Sequence, residues 1–398
     1  MNQVIQVTSA QINNSLDGIS YLPIIINNAC TVQPIESPFS IEIAALHQIT
    51  STNSMDQEIN DEQFYSWYNQ AFPTLLSALK DSGAGWTRIV IRWSDIEPNE
   101  PGLGLPVYDA TWLQWYDNRI SQISQTGVKI IAVINSAPVW ANGDGANLCP
   151  AITAEHLQEY QQYIFDLVSR YSKPPYNINT WEIFNEADNT TPERAGSHAC
   201  FGNDSQRYAQ VLSGSYQTIK NVDPNATVLM SGIAYEWWTE DPYFGPFYRY
   251  FPDDVTAVAG SSSFDGLNFH YFPDFYLEWE RWNPPAQPPT CSRPPENPGL
   301  AYDGRGIDLI AKKNNFTNRL STCFGVNKPV WVTELAEHGV ITDPGSLNNQ
   351  AYYVIKGYSR RLAAGIKNIT WFALAEPNNS DYQSLLYLDF SPKPAFYG

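Results

Sequence analysis

Positive charge is scarce in this sequence. Its 398 residues carry 23 Lys and Arg against 41 Asp and Glu, a formal net charge of −18, and none of the 23 precedes Lys80. A partner that presents rows of phosphates needs clustered Lys and Arg, so nucleic acid and an anionic membrane surface are excluded as partners. The missing basic residues also mean that the N-terminus lacks the n-region of an intact secretory signal. Long apolar runs are missing too. The one near the start, residues 21–26, is far shorter than the ~20 residues that cross a bilayer. Histidines are few and scattered, five in all, and the five cysteines form no CxxC pair, so no metal and no other cofactor is expected.

Other features are abundant. Aromatic residues make up 14% of the chain, including 13 Trp and 24 Tyr, a composition that suits stacking on sugar rings and equally suits a large core. Residues 1–36, rich in Asn, Gln, Ser and Ile, are expected to be an N-terminal arm or linker, with one domain over 37–398. Five cysteines leave one over if disulfides form. Cys149 and Cys200 follow the third and fourth predicted strands, and Cys291 and Cys323 flank a Pro-rich insertion and its following helix. Both pairings, with Cys30 left over, are compatible with these positions, but spacing alone leaves the connectivity open. Few Lys and the prospect of disulfides favour a secreted or extracytoplasmic protein. Nothing in the residues sets an oligomeric state.

Short apolar strands alternate with longer amphipathic segments, the pattern of repeated βα units around a parallel sheet. Strands are expected at 39–44, 86–91, 129–134, 179–184, 227–231, 266–269, 329–333 and 369–373, with helices at 65–80, 112–124, 154–172, 205–221, 306–323 and 350–364. Eight strands predict an α/β fold, a (β/α)8 TIM barrel in a single domain. The helix after the fifth strand is poorly marked, because residues 236–253 are dense in aromatics and interrupted by Pro. After the sixth strand, residues 273–303 contain eight prolines from Pro273 to Pro298, so a long stiff loop is expected there. Loops after strands crown the catalytic face of a barrel, and Tyr276, Trp279 and Trp282 are expected to wall a cleft.

Two of these strands run straight into a glutamate, at Trp181-Glu182-Ile183-Phe184-Asn185-Glu186 and at Val330-Trp331-Val332-Thr333-Glu334. A carboxylate where a buried parallel strand emerges is held rigidly in a partly desolvated mouth, where one acid can keep its proton while another stays ionised. Glycoside hydrolysis needs such a pair. Arg88 lies inside the second strand, where an unpaired guanidinium is costly, so it requires a carboxylate partner. Glu182 is expected in a hydrogen-bonding or salt-bridge network. On predicted top-face loops, Trp93, Trp140, Trp237 and Trp238 offer aromatic surface for several sugar subsites.

Six motifs in order then carry a resemblance: Gly85-Trp86-Thr87-Arg88 with Trp93-Ser94-Asp95-Ile96-Glu97-Pro98, Ala137-Pro138-Val139-Trp140-Ala141, Asn185-Glu186, Asn268-Phe269-His270-Tyr271, Thr333-Glu334, and Pro392-Lys393-Pro394-Ala395. Over residues 39–398 the chain resembles the retaining glycoside hydrolases of the (β/α)8 clan that includes families 5, 10 and 39, and its strand-end wording is most similar to family 39. The resemblance implies Glu186 as acid/base and Glu334 as nucleophile, with Arg88 on Glu334 and Asn185 on the sugar 2-hydroxyl. It also implies His270 facing substrate or nucleophile, and Trp371 as the aromatic floor of the cleaved subsite. Where the clan often has a His-x-Tyr after the sixth strand, this chain has His270-Tyr271-Phe272. Either Tyr271 takes over the hydrogen bond to the nucleophile, or Arg88 and His270 support it alone. The expected function is hydrolysis of a β-linked oligo- or polysaccharide by double displacement, with endo action. An exo-acting β-xylosidase or β-glucosidase is the alternative within the class, and a barrel that binds carbohydrate without cleaving it is the alternative outside it.

Overall fold

In the computed structural model the described residues are 37–44, 61–102, 105–142, 151–190, 201–235, 243–244, 247–273, 291–293, 308–377 and 382–398. The strands are β1 (Phe39–Glu42), β2 (Trp86–Arg92), β3 (Lys129–Asn135), β4 (Thr180–Ile183), β5 (Thr227–Leu229), β6 (Tyr243–Phe244), β7 (Phe247–Tyr248), β8 (Leu267–Tyr271), β9 (Val330–Leu335) and β10 (Asn368–Trp371). The pair β6 and β7 forms a separate antiparallel ribbon. The other eight make one sheet in the order β5-β4-β3-β2-β1-β10-β9-β8. Its paired neighbours all run parallel. Parallel bridges Leu229–Gly266 and Ile233–Phe269 join the two ends into a barrel, as the βα alternation predicts. The sixth, seventh and eighth barrel strands are therefore β8, β9 and β10.

Local chemistry sets the helix ends. Asp109, Asp204, Asp308 and Asp343 each precede a helix and accept hydrogen bonds from its first backbone N–H groups, satisfying donors that have no partner inside the helix. Gly325 and Gly365 end two helices in left-handed backbone, both at φ 67°, a conformation that a Cβ disfavours. The helix Pro344–Ala364 begins six residues ahead of the predicted 350 because Asp343 caps it and Pro344 suits its first turn. The poorly marked helix after the fifth strand is a nine-residue segment, Phe251–Ala259. After β10 the helical structure among the described residues is one 3-10 turn, Pro394–Tyr397.

The barrel interior is layered by the two-residue period of its strands. Trp86, Ile131, Leu229 and Trp331 form an apolar cluster of their own. Two residues further along these strands, or level with them, come Arg88, Glu182, Asn268 and Thr333, all completely buried. An apolar floor thus lies beneath a polar layer, and that layer carries the site. On β9 the ladder slips. Phe269 pairs with Val332 but His270 pairs with Glu334, so Thr333 is an extra residue. Such a bulge re-aims the side chains beyond it. It allows both Thr333 and Glu334 to reach His270.

Of the two possible disulfides, Cys291–Cys323 is present, with a Cα separation of 5.4 Å; Cys149, Cys200 and Cys30 lie outside the described residues. So do the arm 1–36, Trp237, Trp238, and most of the 273–303 insertion, including Tyr276, Trp279 and Trp282. Beside the disulfide, Arg293 pairs with Asp254 and lies 5.0 Å over the Tyr250 ring. The bridge closes a sequence separation of 32 residues. A double Cys291→Ser, Cys323→Ser variant is therefore expected to lose roughly 2–4 kcal/mol of unfolding free energy, measured by urea denaturation with both proteins under non-reducing conditions.

Candidate active site

Arg88 is the centre of the polar layer. Its Nη1 donates to Glu334 Oε1 at 2.6 Å and to Glu42 Oε2 at 2.8 Å. Nε and Nη2 form a fork on Glu182 at 3.0 and 3.1 Å, and Nη2 also donates to Asn185 Oδ1 at 2.6 Å. Burial alone disfavours the guanidinium charge, yet Glu182, Glu334 and Glu42 outweigh burial and hold the proton more firmly than in water. One cation thus ties four barrel strands and Asn185, two residues past β4, into a single network. The sequence reading paired Arg88 with Glu334; the structure adds Glu42 and Glu182. Glu42 was missed, although an acid at the end of the apolar run Phe39-Ser40-Ile41-Glu42 carries the same signal as Arg88.

Past the end of β4 the chain turns sharply. Phe184 and Glu186 adopt left-handed backbone, φ 62° and 46°, conformations that cost of order 1–3 kcal/mol each and persist where surrounding structure enforces them. Glu186 Oε1 lies 2.9 Å from His270 Nδ1, and the same nitrogen lies 3.4 Å from Glu334 Oε2. One oxygen of each glutamate and a ring nitrogen of His270 all fall within 4.8 Å of one another. The two acids occupy unequal surroundings: the Glu186 side chain is 23% exposed, whereas that of Glu334 is 1% exposed against Arg88.

His270 is held from three sides. Its Nε2 lies 3.2 Å from Thr333 Oγ1, and its backbone carbonyl accepts from the buried Lys312 Nζ at 2.7 Å. The third contact is Gly232, where an added Cβ would stand 2.1 Å from His270 Nε2. A side chain at Gly232 therefore displaces the imidazole. The Gly232→Ala variant is expected to lose on the order of 10²-fold in kcat/KM on an aryl glycoside, since about 1 Å of misplacement carries that effect. Steady-state kinetics beside a melting curve checks this, and unchanged kinetics would show that the ring's position is immaterial.

The remaining predicted residues fall at different depths. Asn185 is buried beside Arg88. Tyr271 is fully buried and, one step along β8, alternates away from His270. Phe272 is half-buried with its ring 6.5 Å from that of His270. Arg88 Nη1 donates to Glu334 and His270 Nδ1 lies 3.4 Å from its other oxygen. Trp140 is half-buried, donates its indole N–H to the Glu97 carbonyl and meets His156 edge-on. Trp93 departs from its expected place on a substrate-facing loop. It is completely buried, stacked 5.5 Å from Tyr163 and bonded to the Glu97 carboxylate at 2.9 Å, because the helix Trp93–Ile96 starts at once after β2 and turns it into the core. Trp371 is also without exposed surface, its N–H donated to the Gln383 carbonyl at 3.0 Å, so neither face is open to a sugar in this conformation. Lys393 of the last motif is buried against Ser384 Oγ at 3.1 Å.

The family model described as cellulase, glycosyl hydrolase family 5, matches residues 47–371. The chain belongs to glycosyl hydrolase family 5. That family belongs to the clan that the strand-end motifs indicated, and it is family 5 where their wording leaned toward 39. No curated protein matches it in sequence. Among solved structures it is similar to a family 39 glycoside hydrolase from the gut symbiont Bacteroides cellulosilyticus (18% identity, TM-score 0.55, covering 90% of this chain and 61% of that one). It is similar also to an exo-β-1,4-mannosidase from an Opitutaceae bacterium (15%, 0.58, 90% and 57%). A third is an endoglucanase from the hyperthermophilic Thermotoga maritima (15%, 0.53, 90% and 95%). The chain thus spans less than two thirds of the first two, and at these identities the likeness is one of fold. No helix among the described residues is long and apolar enough to cross a membrane.

Proposed function

We propose that this family 5 chain is a retaining β-glycosidase that cleaves a neutral glycan by double displacement. Glu334 attacks the anomeric carbon while Glu186 protonates the departing oxygen; Glu186 then takes a proton from the water that releases the sugar. The observation that carries this reading is the placement of both carboxylates on one imidazole nitrogen, with oxygens within 4.8 Å of each other. Retaining pairs stand about 5–5.5 Å apart, whereas inverting pairs leave about 6.5–9.5 Å for a water. Their surroundings support the division of labour. The Arg88 cation against Glu334 favours its anionic, nucleophilic form, while the more exposed Glu186 can meet both leaving group and water. Asn185, anchored through Oδ1, has its amide nitrogen for the sugar 2-hydroxyl. A net charge of −18 favours an uncharged glycan over an acidic one. We read the action as endo, with the half-buried Trp140 as a candidate aromatic surface for a further sugar. The Cys291–Cys323 bridge supports work outside the cytoplasm.

The test is a panel of aryl β-glycosides and soluble β-glucans, mannans and xylans, with product stereochemistry followed by NMR. Net retention and mid-chain cleavage are expected. Inversion would overturn the mechanism, release of single sugars would overturn endo action, and binding without cleavage would return the carbohydrate-binding barrel. A Glu186→Ala variant separates the roles further. It is expected to lose about 10²–10⁴-fold on glycosides with poor leaving groups, to lose far less on activated aryl glycosides, and to regain turnover with azide as the attacking anion.

A further inference from the structure

Asp188, two residues beyond Glu186, is a buried carboxylate that the reaction itself does not use. It has no exposed surface. Its Oδ1 accepts from Ala234 N–H at 3.1 Å and its Oδ2 from Tyr235 N–H at 2.8 Å, while its backbone carbonyl accepts from Tyr248 N–H at 2.9 Å. Both carboxylate bonds run to the turn after β5. That turn also bridges Asn185 through Gly232, presents Ser231 Oγ to Ala187 N–H at 2.9 Å, and supplies Gly232 against His270. The loop carrying Glu186 and the turn that seats His270 are thus one unit, and the Asp188 carboxyl is a tie between them.

We propose that Asp188 is a positioning residue for Glu186: it clamps the loop after β4 onto the turn after β5 and so fixes the Glu186 carboxyl beside His270. This rests on Glu186 being the acid/base.

The electrostatics agree with the geometry. Burial first, and then the negative charge of Glu186, push the Asp188 carboxyl up to about 7, against the opposing pull of the Ala234 and Tyr235 N–H groups and the Lys312 cation. The Tyr208 phenol, near Asp188 and Glu182, is itself held well above its ordinary value by burial and stays neutral. Glu186 also faces His270, which Glu334 shares. The sign for stability follows. The folded chain holds the Asp188 proton more tightly than the unfolded chain, so its contribution is fully present below about pH 4 and is lost as pH rises through about 7.

The experiment compares Asp188→Asn and the smaller, uncharged Asp188→Ser with wild type, using kcat/KM on aryl glycosides with poor and activated leaving groups. A Ser231→Ala variant removes a neighbouring tie without touching charge. Both Asp188 variants are expected to make kcat/KM depend more steeply on the leaving group. On the poor leaving group they should also lose on the order of 10²-fold, with a smaller loss on the activated one. Ser231→Ala, which removes one bond to the same loop, should show the same leaving-group dependence to a smaller degree. Equal losses on both substrates in whichever Asp188 variant folds would overturn the proposal. If Glu186→Ala itself shows no dependence on leaving group, the acid/base assignment fails instead, and this is distinguishable because it does not involve Asp188.

Discussion

Glu334→Gln is expected to lower kcat/KM on an aryl β-glycoside by at least about 10⁴-fold, the scale on which loss of a nucleophile acts, with only a small change in melting temperature. The substitution is nearly isosteric. A glutamine oxygen still accepts from Arg88 Nη1, now 2.6 Å from Glu334 Oε1, but it offers no anion to the anomeric carbon. The stability change stays small because Arg88 is not left uncompensated: Glu182 holds it by two bonds and Glu42 by a third. In a simple buried pair the same change would strand a cation, at about 3–5 kcal/mol. Steady-state kinetics and differential scanning calorimetry on the same sample check both halves. Turnover near the wild-type value would remove Glu334 as nucleophile, and a collapse in melting temperature would show that the Arg88 network depends on it.

Much of this arrangement was legible in the chain. The runs before Glu186 and Glu334 contain no break and end in an acid, and the alternation of such runs with amphipathic segments suffices for a barrel. Arg88 was informative for the same physical reason: a charge inside a buried strand must have a partner. What sequence could not show was which partners, because Glu42, Glu182 and Glu334 lie on three different strands and only barrel closure makes them neighbours. The two failures of placement are aromatic. Trp93 and Trp371 carry nothing in their local sequence that separates a sugar platform from a core filler; Trp93 is turned inward by a helix that starts one residue after β2, and Trp371 by a hydrogen bond to Gln383. Asp188 was invisible for another reason. Its ligands are backbone N–H groups, and a backbone donor leaves no mark on residue identity. The bulge on β9 likewise has no sequence signature here, yet it brings Thr333 and Glu334 to the same ring.

Arg88→Met is the substitution expected to disturb the chain most. It strands Glu42, Glu182 and Glu334, all with at most 1% of the side chain exposed, in one layer of a barrel whose floor is apolar. Breaking a buried ion pair by removing one partner costs about 3–5 kcal/mol; here one removal strands three carboxylates that repel one another, so the loss is expected at or above the top of that range. Glu182 would retain Gly232 N–H at 3.1 Å and Thr333 Oγ1 at 3.2 Å, and these are neutral donors that cannot cancel charge. Uptake of protons can, so the variant should recover stability relative to wild type as pH is lowered from 7 to 5. Arg88→Lys should fall between the two, keeping a cation but losing the planar fork on Glu182 and the bond to Asn185. Urea denaturation of the three proteins at both pH values decides the matter. If Arg88→Met is as stable as wild type at pH 7, the carboxylates do not depend on the guanidinium, and the buried cation would then serve the nucleophile rather than the fold.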